Sequence, residues 1–163
     1  MSDINSIFIF GAEYLYLIVM GISFIWFLAQ AKPKQKEILV ITCVCLPIIL
    51  IAFKIASHLY YNPRPFVAEH FQPLIYHKAN NGFPSHHMLL VSFISAIVFI
   101  FDRRFSLILW VLAFFVGISR VYVGVHHSVD ILGSFLITVI SITSGYFLLR
   151  YLKSRKLWIF KER

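Results

Sequence analysis

Charge is what this sequence has least of. Of 163 residues, 13% are Asp, Glu, Lys or Arg and 60% are hydrophobic, whereas a soluble domain carries about 25% charged residues. That scarcity excludes a water-facing surface over most of the chain, and a mean hydropathy of +0.81 asks for lipid as the solvent. Acidic residues are rarer still, seven against fifteen Lys and Arg, for a net charge of +8. The excess does not describe a nucleic-acid surface, because the basic residues fall in short clusters between apolar runs, the pattern of cytoplasmic membrane loops. Cysteine is nearly absent: Cys43 and Cys45 share one apolar run. Two positions apart on a helix they do not face each other, so a disulfide between them is not expected and both read as small core residues. No repeat or low-complexity stretch divides the chain, and its length suits one domain over 1–163. The first apolar run has no basic segment before it and no small-residue cleavage site after it, so it does not read as a cleaved signal peptide.

What the sequence does have is a series of apolar runs near the roughly 20 residues that cross a bilayer. Five spans are expected, at about 10–30, 38–60, 86–101, 105–122 and 130–152, forming an all-α polytopic membrane helical bundle. The cluster Lys32, Lys34, Lys36 with Pro33 separates the first two, and Asp102-Arg103-Arg104 separates the third and fourth. Between the second and third lies a polar, turn-rich segment, 61–85, holding Asn62, Pro63, Pro65, Pro73, Asn80, Asn81, Gly82 and Pro84. Five spans put the 31–37 loop, the 102–104 turn and the C-terminal tail on one side, with 11 of the 15 basic residues. The remaining four are Lys54, Arg64, Lys78 and Arg120. The positive-inside rule makes that side cytoplasmic and places the N-terminus outside. The tail cluster Lys153, Arg155 and Lys156, with Trp158 and Phe160, suits anionic lipid headgroups.

The opposite side collects all seven histidines: His58, His70, His77, His86, His87, His126 and His127. Arg64, Arg120 and Asp130 join them, and ionisable groups near a membrane usually mark a site. Arg64 lies between Pro63 and Pro65, which stiffen the backbone around a guanidinium able to fork onto phosphate; alone, it also fits an arginine that binds headgroups. Ser85 precedes the third span in Gly82-Phe83-Pro84-Ser85-His86-His87. It is an N-cap candidate at a helix start whose free N–H groups suit phosphate. His126 and Asp130 are four apart where the fifth helix is expected to begin. On one helical face, the carboxylate can hold one ring nitrogen and leave the other free to attack. Glu13, near Tyr14 and Tyr16 at the outer end of the first span, reads as interfacial, with the tyrosines in an aromatic belt.

These three stretches resemble the signature motifs of the type 2 phosphatidic acid phosphatase family, K-x6-R-P, P-S-G-H and S-R-x5-H-x3-D. Here they stand as Arg64-Pro65, Pro84-Ser85-His86-His87 and Ser119-Arg120-x5-His126-x3-Asp130, over residues 54–130. The third is complete. The first lacks its lysine, since position 57 is Ser57, with Lys54 one helical turn earlier; in the second, His86 replaces glycine and His87 is the motif histidine. His127 matches no motif position.

The resemblance implies a lipid phosphatase. His126 would be the nucleophile that forms a phosphohistidine, Asp130 its orienting carboxylate and His87 the acid and then the base. Arg64, Arg120 and Ser85 would bind the phosphoryl oxygens, and Lys54 would add a further cation. No cofactor or metal is expected: a zinc site of His87, His126 and Asp130 fits by ligand type, but the two arginines compete with a metal cation. Pro63-Arg64-Pro65-Phe66-Val67 and the short chain are similar to bacterial undecaprenyl-diphosphate phosphatases, which implies a polyprenyl diphosphate substrate met at the outer face of the cytoplasmic membrane. Phosphatidylglycerophosphate, phosphatidate or lipid A as substrate, a phosphotransferase, and a non-catalytic lipid-binding subunit remain alternatives at this level.

Overall fold

The computed structural model describes residues 3–154; the tail residues Arg155, Lys156, Trp158 and Phe160 lie outside the described residues. Among the described residues the chain is all helix: α1 (Asp3–Glu13), α2 (Leu15–Leu28), α3 (Lys32–Leu59), α4 (Pro65–Ala68), α5 (His86–Phe101), α6 (Arg103–Tyr122) and α7 (Ser128–Ser154). The closest thing to a strand is an isolated antiparallel bridge between Pro63 and Asn81.

Each apolar run became helical, with instructive differences at the edges. The basic cluster read as a break after the first run is the first turn of α3, where Pro33 is tolerated because an early helical N–H has no intrahelical partner. Asp102 caps α6, its Oδ1 accepting from the Phe105 N–H at 3.0 Å. The expected first span at 10–30 is a pair of helices, α1 and α2, bent by 50°. The break coincides with Arg120, whose Nη1 donates to the Ala12 carbonyl at 3.2 Å and takes an acceptor from the helical ladder.

α3, α6 and α7 are long and apolar enough to cross a membrane, and α1 with α2 makes a fourth such unit if the bent pair is one span. α5, with 16 residues, is shorter. It packs against α6 and α7, while α3 runs along α7 and α1 along α6. One core layer joins Ile41, Cys45 and Ile49 of α3 to Leu89, Phe93 and Ile142. A second joins Val19 to Met88, Val91, Leu109 and Val116. The outward faces stay apolar, with Phe24, Leu50, Leu107, Val111, Leu136 and Ile140 exposed, as lipid contact requires.

Small residues set the helix spacing. Gly145 lies against Cys45, and Gly117 against Ile131 and Met88. Buried Ser106 donates to the Ser95 carbonyl at 2.8 Å. In a lipid-facing bundle such close packing and hydrogen bonding replace the hydrophobic drive that water supplies. Cys45 is a core residue as expected, but Cys43 is exposed on the outward face of α3; both are free. The α2–α3 and α5–α6 turns meet at one end of the bundle, where Trp26 Nε1 donates to Asp102 Oδ2 at 3.4 Å and Lys34 stands over the Trp26 ring. The histidine-bearing loops gather at the other end.

Candidate active site

Three loop segments converge over the first turns of α5 and α7. Gly82 N–H donates to the Asn62 carbonyl at 2.8 Å, joining the first to the second. His127 Nε2 stands 3.2 Å from the Pro63 carbonyl, joining the first to the third. Ser134 Oγ of α7 donates to the Ser85 carbonyl at 3.0 Å, joining the second to the third. Phe83 lies against Gly133, where any side chain on α7 would take its place.

At the junction His126, Arg64 and Asp130 are 2%, 1% and 0% exposed. His126 Nδ1 is 3.1 Å from Asp130 Oδ2, and His126 Nε2 is 3.2 Å from Arg64 Nη1. A carboxylate only accepts and a guanidinium only donates. The ring proton therefore sits on Nδ1, and Nε2 presents a lone pair to the cationic side of the site. Burial pulls the His126 ring down to about 4; the bond to Asp130 opposes this and the charges of Arg64 and Arg120 add to it. At neutral pH the imidazole is uncharged, as a nucleophile needs.

Asp130 also accepts from the His127 N–H at 2.9 Å and from Asn62 Nδ2 at 2.8 Å. Arg64 donates through Nη1 to the Val125 carbonyl at 2.7 Å and through Nε to Asn80 Oδ1 at 3.0 Å. Burial lowers its guanidinium below the ordinary value, and Asp130 opposes that shift.

Arg120 and Ser85 behave differently. Arg120 is 3% exposed and spends only Nη1, on Ala12, while its Nε and Nη2 have no hydrogen-bond partner. Ser85 sits at the N-cap of α5, yet its buried Oγ caps nothing and has no partner. Buried donors left unpaired are costly; the hydroxyls of Ser23, Ser92 and Ser141 elsewhere in the bundle share that state, and what sets Arg120 and Ser85 apart is the unpaired guanidinium nitrogens of Arg120 within reach of His126. Beside an uncharged imidazole and a second guanidinium, they suit an anion with several oxygens.

His87, on the first turn of α5, meets Tyr16 edge-on at 4.6 Å between ring centroids and lies within reach of the charges of His126, His77 and Arg120. Tyr16 thus turns inward to the site rather than serving in an aromatic belt, and Glu13 is near enough to act on the charge of Arg120. His86 is exposed and leans on Phe53. Lys54 is exposed on α3 and makes none of the site's contacts, while Ser57, where the motif lysine is expected, takes a hydrogen bond from Asn81. His58 and His70 are exposed away from these contacts.

The sequence reading passed over His77, Asn62, Asn80 and Asn81. The His77 ring lies 6.2 Å from that of His126, and burial with the charge of Arg64 pushes it down to about 4. Its clue was membership of the one-sided histidine set. Asn62 and Asn81 stood in the sequence only as turn formers. Among the described residues no cluster of three or more His, Cys, Asp or Glu could hold a metal ion, and both nitrogens of His126 are already committed to Asp130 and Arg64.

An uncharged, carboxylate-backed imidazole facing two buried guanidiniums on a lipid-facing bundle is the equipment of a membrane phosphatase. Residues 36–155 match the PAP2 superfamily, and the chain belongs to it. The family resemblance read from the three motifs is thereby borne out. The chain is 32% identical to the bacitracin transport permease protein BcrC of Bacillus licheniformis over 142 residues, 86% of this chain and 69% of that protein. It is 31% identical to undecaprenyl-diphosphatase BcrC of Bacillus subtilis (strain 168) over 139 residues, 85% of this chain and 72% of that one. The fold matches the crystal structure of Aquifex aeolicus LpxE with a TM-score of 0.71 at 20% identity, over 90% of this chain and 87% of that chain. The protein is a multi-pass membrane phosphatase.

Proposed function

We propose that this protein hydrolyses a lipid phosphate or diphosphate at the outer face of a bacterial cytoplasmic membrane, through a phosphohistidine on His126, with undecaprenyl diphosphate as its substrate. In this reading α1 and α2 form one bent span and α5 a short one, giving five, with the N-terminus outside. The observation that carries the chemistry is the ring of His126 set between Asp130 at Nδ1 and Arg64 at Nε2, which favours a proton on Nδ1 and a lone pair on Nε2.

Nε2 attacks the terminal phosphorus, forming an N–P bond as the bond from phosphorus to the leaving oxygen breaks. The phosphoryl group takes the place of the Arg64 contact on Nε2, and Arg64 then donates to a phosphoryl oxygen. Arg120 Nε and Nη2 and Ser85 Oγ are the unpaired donors for the remaining oxygens. Asp130 balances the positive charge that grows on the ring. His87 gives its proton to the leaving oxygen, then takes one from water. That water attacks phosphorus, releases inorganic phosphate and restores His126. Lys54, exposed on α3, contributes long-range positive charge at most. The name of the Bacillus subtilis relative supports a polyprenyl diphosphate.

The test is phosphate release by the detergent-purified protein in the presence of a chelator, from undecaprenyl diphosphate, phosphatidylglycerophosphate, phosphatidate and lipid A. The expected result is fastest release from the polyprenyl diphosphate, acid-labile labelled phosphate trapped on the wild type, and neither signal with His126→Ala. Activity of His126→Ala near that of the wild type would remove His126 as nucleophile, and a faster monophosphate lipid would replace the substrate.

A further inference from the structure

Asp130 is fully buried and acts through the orientation of its two oxygens. Oδ2 faces His126 Nδ1 and the His127 N–H. Oδ1 has one donor, Asn62 Nδ2, at 2.8 Å. A carboxylate is nearly two-fold about its last torsion, so a grip on Oδ1 is what stops it rotating away from the imidazole. Asn62 can supply that grip because it is itself held on both sides. Its N–H donates to Asn81 Oδ1 at 2.9 Å, and its carbonyl accepts from Gly82 at 2.8 Å.

Asn81 is the hub behind it. Its Oδ1 also accepts from the Phe83 N–H at 3.0 Å, while its Nδ2 donates to the Ser57 carbonyl at 3.0 Å, to Ser57 Oγ at 3.3 Å and to the Tyr60 carbonyl at 3.2 Å. These are free acceptors at the C-terminal end of α3. Gly82 lets the backbone close over the pair: a Cβ there would meet Asp130 Oδ2 at 3.0 Å and the Asn62 carbonyl at 3.2 Å. An unbroken line of hydrogen bonds thus runs from the end of α3 through Asn81, Asn62 and Asp130 to the ring nitrogen of His126.

We infer that Asn62 is a positioning residue for the His126–Asp130 pair, and that Asn81, anchored on Ser57 and Tyr60, holds Asn62 in that role; the inference rests on the phosphohistidine reading above. An amide suits the position because it donates without charge, leaving the negative charge of Asp130 for the ring. A plain loop clip would make no such demand on the chemistry of residue 62.

The experiment compares wild type, Asn62→Ala and Asn62→Asp, purified in detergent and shown folded by their thermal midpoints. Asn62→Ala is expected to lower kcat by roughly 100-fold through misplacement of the nucleophile, with KM within about threefold because Arg120 and Ser85 are untouched. Asn62→Asp puts a carboxyl where the amide donated. It is expected to be nearly inactive at neutral pH and to recover as the pH falls and the two carboxyls share a proton. Protonation of His87 raises all three proteins alike as the pH falls, so the recovery is read as the ratio of Asn62→Asp to wild type at each pH. Arg64 and His127, which also face Asp130, are common to all three proteins. An unchanged kcat in folded Asn62→Ala would overturn the inference. So would an Asn62→Asp profile lowered by the same factor at every pH, and that isosteric variant carries the test if the alanine variant does not fold. Should wild-type protein release phosphate from no lipid, the proposed function fails by itself. Asn62 is then judged by the 15N shifts of the His126 ring: a change in Asn62→Ala supports it and unchanged shifts overturn it.

Discussion

Replacing Asp130 by asparagine removes a charge from the centre of the site while keeping its shape. In the resting protein His126 is uncharged and the amide oxygen can accept from Nδ1, at the 3.1 Å where Oδ2 now stands; the amide nitrogen then meets Asn62 Nδ2, so the Asn62 amide has to turn over and accept from it. In the proposed reaction the cost appears when the Nε2–phosphorus bond forms and the ring becomes positive. Two unit charges about 4 Å apart at an effective dielectric of about 20 attract by about 4 kcal/mol. The amide dipole recovers part of that, leaving a loss on the order of 3 kcal/mol in the transition state, or more than 100-fold in kcat. KM should stay within about threefold, since Asp130 touches none of the unpaired donors that face the phosphoryl group. The assay is initial-rate phosphate release from a lipid phosphate in mixed micelles, with acid-quenched phosphohistidine measured in the same samples. Trapped intermediate should fall with kcat, because formation of the N–P bond is the step made slower. A fall in kcat of less than tenfold with thermal stability unchanged would refute the idea that this carboxylate balances charge on the ring.

Two further outcomes follow from packing and protonation. Gly145→Ala places a methyl group against Cys45 and should destabilise the bundle by about 1–3 kcal/mol in thermal unfolding, with phosphate release per folded molecule unchanged; adding Cys45→Ala should restore stability, and failure to do so would deny the contact. Burial holds His126 at about 4, below the roughly 6.5 of an unfolded histidine. Between those values the unfolded chain binds more protons, so stability is full above the higher value and falls as the pH drops through the lower one. The midpoint of the wild type should therefore drop more steeply between pH ~6.5 and ~4 than that of His126→Gln, and parallel curves would contradict an uncharged buried ring.

The helices were legible because long apolar runs leave few alternatives, and α5 begins and ends where its run does. The break at Tyr14 was not, because what meets the chain there, Arg120 reaching Ala12, comes from 108 positions away in sequence. The outward turn of Cys43 and the inward turn of Tyr16 were hidden for a similar reason: in a chain apolar on every face, hydropathy does not say which face meets lipid. In the site, Arg64, His126 and Asp130 could be found because arginine, histidine and aspartate are rare in such a chain and so stand out. Asn62 could not. Asparagine among prolines and glycines reads as turn chemistry, and its partner Asp130 is 68 positions away. Ser57 looked like a missing lysine, whereas in the fold it is an anchor for Asn81.

Under the proposed topology and chemistry, the brevity of α5 sets how deep the reaction takes place. Sixteen residues climb about 24 Å, less than the ~30 Å hydrocarbon slab. With its other end at the cytoplasmic surface, α5 would stop about one helical turn short of the far side, and a phosphorus atom on its first turn would lie just under the level where tails join headgroups. A greasy substrate can then be cut with its chain still dissolved among its neighbours, and only the freed inorganic anion has to travel into water.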